Sequence, residues 1–227
     1  MTIGVGGKSV EQAMDSLGDM TAGVPKIKPA EFQQRLARLQ DSLKQQGIGA
    51  AYLHAGTNLY YFTGLRWHPS ERMVAAIVPA EGELSYVAPR FELDTLRDYW
   101  TIEAPIHVWE EHESPSELVR ETLNGYGVSG RPVAMDEATP FFIFDALRAA
   151  LPDVDFRHAQ PLTQALRSCK SDTELALIQR AHEMTLAVHQ AAASILRPGI
   201  STGEVTAFID EAHRRVGADA GSFFCIV

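Results

Sequence analysis

Few side chains in this 227-residue sequence are spaced for chemistry, and each group has a plainer use to set against it. His182 and His189 lie two turns apart in one helical stretch. At a rise of ~1.5 Å per residue they stand roughly 10 Å apart, too far to share an ion held ~2 Å from each. Surface or core-edge positions are expected for both. Glu110, Glu111, His112 and Glu113 surround one imidazole with carboxylates. Four consecutive loop residues do not readily converge on one ion, so a solvated loop is expected. Gly6-Gly7-Lys8-Ser9 has the tail of a phosphate-binding loop, but that motif needs a glycine at position 2, after a strand. Position 2 is Thr. No Gly-x-Ser-x-Gly elbow is present, and Cys225 has no neighbouring His to activate it. No residue is assigned as catalytic or as a metal ligand, and a self-contained active site is not expected.

The elements that would position a site are easier to read. Hydrophobic residues make up 45% of the chain, enough for a sizeable core, and the length suits one or two domains. A net charge of −9 argues against a nucleic-acid or anionic-membrane surface, since both need a basic patch. No run approaches the ~20 apolar residues of a membrane span, and no secretory signal is read. Cys169 and Cys225 suit a reducing compartment, although a disulfide between them is allowed on count. The expectation is a soluble cytoplasmic protein that binds neither nucleic acid nor membrane.

Residues 1–25 carry several glycines and little periodicity, and read as a flexible leader. Phe32, Leu36, Leu39 and Leu43 then stripe a helix ended by Gly47, followed by a buried strand over residues 50–54. Strands are expected at 73–79 and 84–88, as a hairpin around residues 80–83, and at 106–109, 133–135 and 155–159. Helices are expected at 91–100, 115–123 and 140–150. Alternation of this kind predicts an α/β layer on a sheet of five or six strands, spanning residues 26–162.

Two capping boxes, Ser171 with Glu174 and Ser201 with Glu204, open the helices of the remaining stretch, residues 163–227. Leu177, Ala181, Met184, Val188, Ala191 and Ile195 stripe the first helix. Val205, Phe208, Ile209, Ala212 and Val216 stripe the second, with Pro198-Gly199 between them. Ser222 to Val227 reads as a strand beginning. The stripes at 172–216 expect a sheet from about one further domain to cover Ile195, Phe208, Ile209 and Val216, either in a longer polypeptide or from another chain.

Three groups of residues carry a resemblance. They are Leu166-Arg167-x-x-Lys170-Ser171-x-x-Glu174, Arg197-Pro198-Gly199-x-Ser201-x-x-Glu204, and Gly217-Ala218 leading to Ser222-Phe223 and Ile226-Val227. In this order they resemble the start of the catalytic domain of Xaa-Pro peptidases, the prolidases and aminopeptidases P of the pita-bread metallopeptidase family, which includes creatinase. Asn58-x-x-Tyr61-Phe62-Thr63-Gly64 is similar to a run typical of their amino-terminal domain.

The resemblance implies a creatinase-type amino-terminal α/β domain with a mixed sheet, then the first helices and strand of an α+β pita-bread domain. It implies hydrolysis of the bond before proline, with two divalent metals (Mn, Co or Zn) held by two Asp, one His and two Glu. Those ligands would lie downstream of the last strand, outside this sequence. Dipeptides or short peptides with proline second would be the substrates, with a slight preference for dipeptidase over aminopeptidase P, and a homodimer or higher homo-oligomer is implied. Phe223 and Ile226 fall where the family lines the pocket for the substrate's first side chain; ordinary strand core is the alternative. Arg66, Trp67 and His68 fall on a loop that reaches a partner's active-site mouth in dimeric members. There Arg66 would pair with a substrate carboxylate and Trp67 would cap the opening; an exposed turn with a packed Trp is the alternative. Creatinase-like amidinohydrolysis and a non-catalytic pseudo-peptidase module that binds peptides or proteins stand as rival functions.

Overall fold

The computed structural model describes residues 3–223 and 225–227. One mixed sheet gathers β1 (Ala50–His54), β2 (Ala75–Pro79), β3 (Ser85–Pro89), β4 (Ile106–Trp109), β5 (Val133–Met135) and β6 (Phe156–His158), in the order β4-β3-β2-β1-β5-β6. Strand β1 lies in its middle and is buried throughout, which its run without a formal charge permits. It pairs antiparallel with β2, Tyr52 opposite Ile77, and parallel with β5, Tyr52 opposite Met135.

Alternation along β1 sends its side chains to two cores, Ala51 and Leu53 to one, Ala50 and Tyr52 to the other. Helices α2 (Pro29–Gln45), α3 (Thr57–Thr63), α4 (Leu93–Tyr99) and, later in the chain, α7 (Gln160–Ser168) supply Leu39, Leu43, Phe62, Leu96 and Leu162 to the first core. Helices α5 (Pro115–Gly125) and α6 (Phe141–Ala150) supply Val119, Leu123, Ile143 and Leu147 to the second. Each such Leu or Phe contributes roughly 1.5–3 kcal/mol by leaving water.

Contacts divide the chain into two units, Ile27–Cys169 and Met1–Lys26 with Lys170–Val227. Helix α7 packs on α2 and belongs to the first unit, so a division at residue 162 would cut through it.

The second unit corrects three expectations. Residues 3–26 are no loose leader: Ser9 and Gln12 form a capping box that starts α1 (Val10–Asp15). That helix packs on α8 (Asp172–Ile195) and α9 (Thr202–Arg215), where Ala13 and Leu17 join Val188, Ile195, Phe208 and Val216 in one core. The stripe expected to await a sheet is therefore covered from within: Ile195, Phe208 and Val216 are buried, and Ile209 is half-buried against them. Apolar exposure falls instead on Leu175, Ile178 and Leu186 of α8. Finally, no strand forms over residues 222, 223 and 225–227, and Phe224 lies outside the described residues. A strand needs a neighbour for its backbone hydrogen bonds, and this unit has none among the described residues. Ser222 instead donates its N–H to Asp210 of α9 at 3.1 Å.

The glycines of the supposed leader have a packing role. Val5 N–H donates to the Leu196 carbonyl at 2.5 Å and Lys8 N–H to that of Ser194 at 3.4 Å, satisfying carbonyls at the end of α8. A Cβ added at Gly4 would overlap the Ser194 carbonyl oxygen and the Ile195 backbone. Gly4→Ala is expected to cost about 2 kcal/mol through overpacking. Native-state hydrogen exchange at residues 188–195 should quicken by roughly thirtyfold; unchanged protection there would refute the docking.

Candidate functional site

At the carboxyl end of β1 the chain turns through Gly56 into α3, and at the carboxyl end of β5 it turns through residues 136–140 into α6. The two helices leave toward opposite faces of the sheet. A crevice between parallel strands whose connections diverge in this way is where α/β sheets place functional groups.

Asp136 fills it, 4% exposed. Its carboxylate accepts from the His54 N–H at 3.1 Å, the Ala138 N–H at 2.9 Å and the Asn58 amide at 2.9 Å. Arg167 of α7 donates to the Asn58 carbonyl at 2.7 Å, and Thr163 donates to Glu137 at 3.0 Å. Burial pushes the Asp136 carboxyl up, against the pull of its three donors. Burial also acts upward on Glu137, but hydrogen bonds from Asn58 and Thr163 and the charge of Arg167 outweigh it and hold that group below the ordinary value. His54 is pushed down to about 4 by burial alone, and its Nε2 is buried with no hydrogen-bond partner. Tyr52, whose hydroxyl lies 3.5 Å from His54 Nδ1, is pushed up by burial and then by the Asp136 charge. Asp136, His54, Asn58 and Tyr52 are buried and locked to one another. They can brace the crevice, and none of these four offers a free nucleophile or an exposed acid; Glu137 beside them is exposed.

The Asn58 to Gly64 run proves to be α3, and the residues it quotes have structural tasks. Asn58 bridges Asp136 and Arg167. The Tyr61 hydroxyl donates to the Leu166 carbonyl at 2.9 Å, and the Arg35 guanidinium covers its ring at 4.2 Å. Phe62 is fully buried. The Thr63 hydroxyl donates to the Leu59 carbonyl and accepts from the Leu65 N–H. Gly64 ends the helix at φ 75°, the left-handed conformation that favours glycine, and a Cβ there would stand 2.5 Å from Thr101 Cβ. Two stretches singled out separately, Asn58 to Gly64 and Leu166-Arg167, thus interlock.

Arg66, Trp67 and His68 come together on the wall of a groove of about 560 Å³, shared with Glu92, Thr95 and Tyr99. Trp67 is half-buried against the first core, while Arg66 and His68 are exposed. Phe223 is 99% and Ile226 87% exposed, so neither is strand core. His182 and His189 are exposed on α8. The acidic run is a loop tied down by cations, Arg90 to Glu110 and Arg72 to Glu111. Cys169 and Cys225 are free thiols. Among the described residues no three His, Cys, Asp or Glu side chains come together to hold a metal ion, and no helix is long and apolar enough to cross a membrane. The Asp136 cluster escaped sequence reasoning because its members lie 78 and 109 residues apart in the chain.

Comparison with known proteins fits this architecture. Residues 35–169 match the Creatinase/Prolidase N-terminal domain. YkvY of Bacillus subtilis, provisionally named a dipeptidase, is 28% identical over 195 residues, covering 85% of this chain and 53% of its own. The crystal structure of dipeptidase PepE from Mycobacterium ulcerans superposes with a TM-score of 0.79 at 27% identity, covering 88% of this chain and 53% of that one. A prolidase from Thermococcus sibiricus shares the fold, with a TM-score of 0.76 at 23% identity over the same shares. The chain spans about half the length of the curated relatives it matches. With a mixed six-stranded sheet and a match that covers more than half its residues, the chain belongs to the creatinase/prolidase N-terminal domain family.

Proposed function

We propose that this chain supplies the amino-terminal domain and the opening helices of a metal-dependent peptidase that hydrolyses Xaa-Pro bonds, with dipeptides preferred. The observation that carries this reading is the match over residues 35–169 together with relatives named as dipeptidase and prolidase. The residues present do not fit a two-metal centre, because no ligand cluster exists among those described. No chemical step is therefore assigned to them.

Their role in this reading is to bind and shape. The groove of Arg66, Trp67 and His68 offers a guanidinium for a substrate carboxylate and an indole to exclude water, at the active-site mouth of a homodimer partner or higher oligomer. Phe223 and Ile226 would furnish an apolar wall for the substrate's first side chain. Two free thiols support a cytoplasmic setting.

The test is an assay of the longest natural form of the polypeptide, supplied with Mn²⁺ or Co²⁺, on Xaa-Pro dipeptides and Xaa-Pro-Xaa tripeptides. Dipeptide hydrolysis that stops on chelation and returns with metal is expected. Hydrolysis of neither class would overturn the reading, and turnover of creatine would replace it with amidinohydrolysis. In the active enzyme Trp67→Ala is expected to raise KM roughly tenfold with kcat within about twofold, the pattern of lost uniform binding. An unchanged KM would remove the groove from the site.

A further inference from the structure

Beside the Asp136 crevice, at the carboxyl ends of β5 and β6, lies a second cavity of about 410 Å³. Its walls include Glu137, Thr139, Phe141, Phe144, Phe156 and Arg157. The rings of Phe144 and Phe156 meet edge to face, centroids 5.6 Å apart, and Phe141 is 78% exposed at the start of α6. Three phenylalanines around an open cavity make a slot for a planar or apolar group.

The polar groups carry both signs. Glu137 is an exposed carboxylate that hydrogen bonds and the Arg167 charge keep ionised. Arg157, on β6, spends its Nε on Asp155 at 2.9 Å, which leaves its terminal nitrogens beyond that bond. Helix α6 starts behind Pro140 with no side chain capping it; the Ile143 and Phe144 N–H groups reach the Pro140 carbonyl, and the positive end of the dipole lies at Phe141, on the cavity wall. Thr139 lines the cavity too, half-buried. Asp136, which also lines the cavity, is consumed by its three donors. What is left is the open side of the Glu137 carboxylate, which is exposed although Thr163 also donates to it, the Arg157 guanidinium, the exposed His158 imidazole and an aromatic slot. A lone cation or a lone anion would meet a like charge here, whereas a molecule bearing both charges and a ring would meet neither.

Independently of the peptidase reading, we propose that this cavity is a binding site for a free aromatic α-amino acid, its ammonium group toward Glu137, its carboxylate toward Arg157 and the start of α6, and its ring among Phe141, Phe144 and Phe156.

Titration of the 227-residue chain with L-phenylalanine, followed by amide chemical shifts at residues 135–144 and 156–158, tests this. Saturable shifts confined to those segments are expected. Phenethylamine, 3-phenylpropanoate and glycine each lack one of the three features and are expected to bind at least about tenfold more weakly. Arg157→Gln and Phe141→Ala change exposed side chains and leave the cores intact; each is expected to weaken L-phenylalanine by roughly five- to tenfold. Absence of saturable shifts would overturn the site. So would equal affinity for L-phenylalanine and either singly charged analogue, or full affinity in both variants.

Discussion

Asp136→Ala is expected to destabilise the Ile27–Cys169 unit by about 3–5 kcal/mol, lowering its melting temperature by roughly 10 °C or more. The carboxylate is 4% exposed and holds three donors at once: the His54 N–H at the end of β1, the Ala138 N–H that shapes the turn into α6, and the Asn58 side chain. Alanine leaves the buried His54 N–H and the part-buried Ala138 N–H without this acceptor and leaves Asn58 only Glu137 to donate to, and each buried orphan costs about 1–3 kcal/mol. The loss is partly offset because burial already disfavours the charged carboxyl. The fluorescence of Trp67, Trp100 and Trp109, all within this unit, reports its unfolding in urea. Asn58→Ala is expected to cost about 2–3 kcal/mol, and the double variant clearly less than the sum, since the two side chains answer one another. Strict additivity would show that Asp136 and Asn58 are not coupled, and a loss below about 1 kcal/mol for Asp136→Ala would show that the crevice is not a brace.

Acid is expected to weaken the same unit through His54. Burial holds its imidazole at about 4 in the folded protein, against about 6.5 in an unfolded chain. Above pH 6.5 the group is neutral in both states and withholds nothing. As pH falls from 6.5 toward 4 the unfolded chain takes up a proton that the folded one refuses, so stability declines by about 1.4 kcal/mol per unit, on the order of 3 kcal/mol in all. Below that window the two states titrate alike. Asp136, raised by burial, acts with the opposite sign, because its folded form keeps a proton that the unfolded chain has released. As pH falls, its influence begins at its raised folded value and is complete at the ordinary carboxylate value, so it opposes His54 at the acidic edge. Urea unfolding at intervals between pH 7 and pH 4.5, in the wild type and in His54→Phe, separates the two. Phenylalanine retains a ring near that of Tyr52, which lies 6.3 Å away and nearly parallel, and removes the proton site. A flatter profile in the variant is expected; parallel profiles would exclude His54 as the source.

The layered α/β half was legible because local signals decided it. Leu36, Leu39 and Leu43 recur at helical spacing, and the residues of β1 carry no formal charge, so neither needed distant information. The capping boxes of α8 and α9 were equally local, and both form as read. What failed was non-local. The stripe on α9 correctly announced burial, but nothing near Phe208 or Val216 says that residues 13 and 17 do the burying. Apolar, β-prone residues near the end of the chain suggested a strand, yet a strand is a property of two segments, and its partner was assumed. The candidate site divides along the same line. Arg66, Trp67 and His68 share a groove because they are consecutive. Asp136, His54 and Asn58 meet because β1 and β5 are neighbours in the sheet, which no window of sequence reports.

Docking of residues 4–8 beside Ser194 and Leu196 also constrains the order of events during synthesis. The first helix leaves the ribosome long before the helix it must rest upon. At about 5–20 residues per second, the roughly 150 residues between Asp15 and Asp172 take on the order of ten seconds or more to translate. Throughout that interval Ala13, Met14 and Leu17 have no native surface to cover, while the intervening sheet can close around β1. The Ile27–Cys169 unit can therefore close before α1 finds its place on α8 and α9.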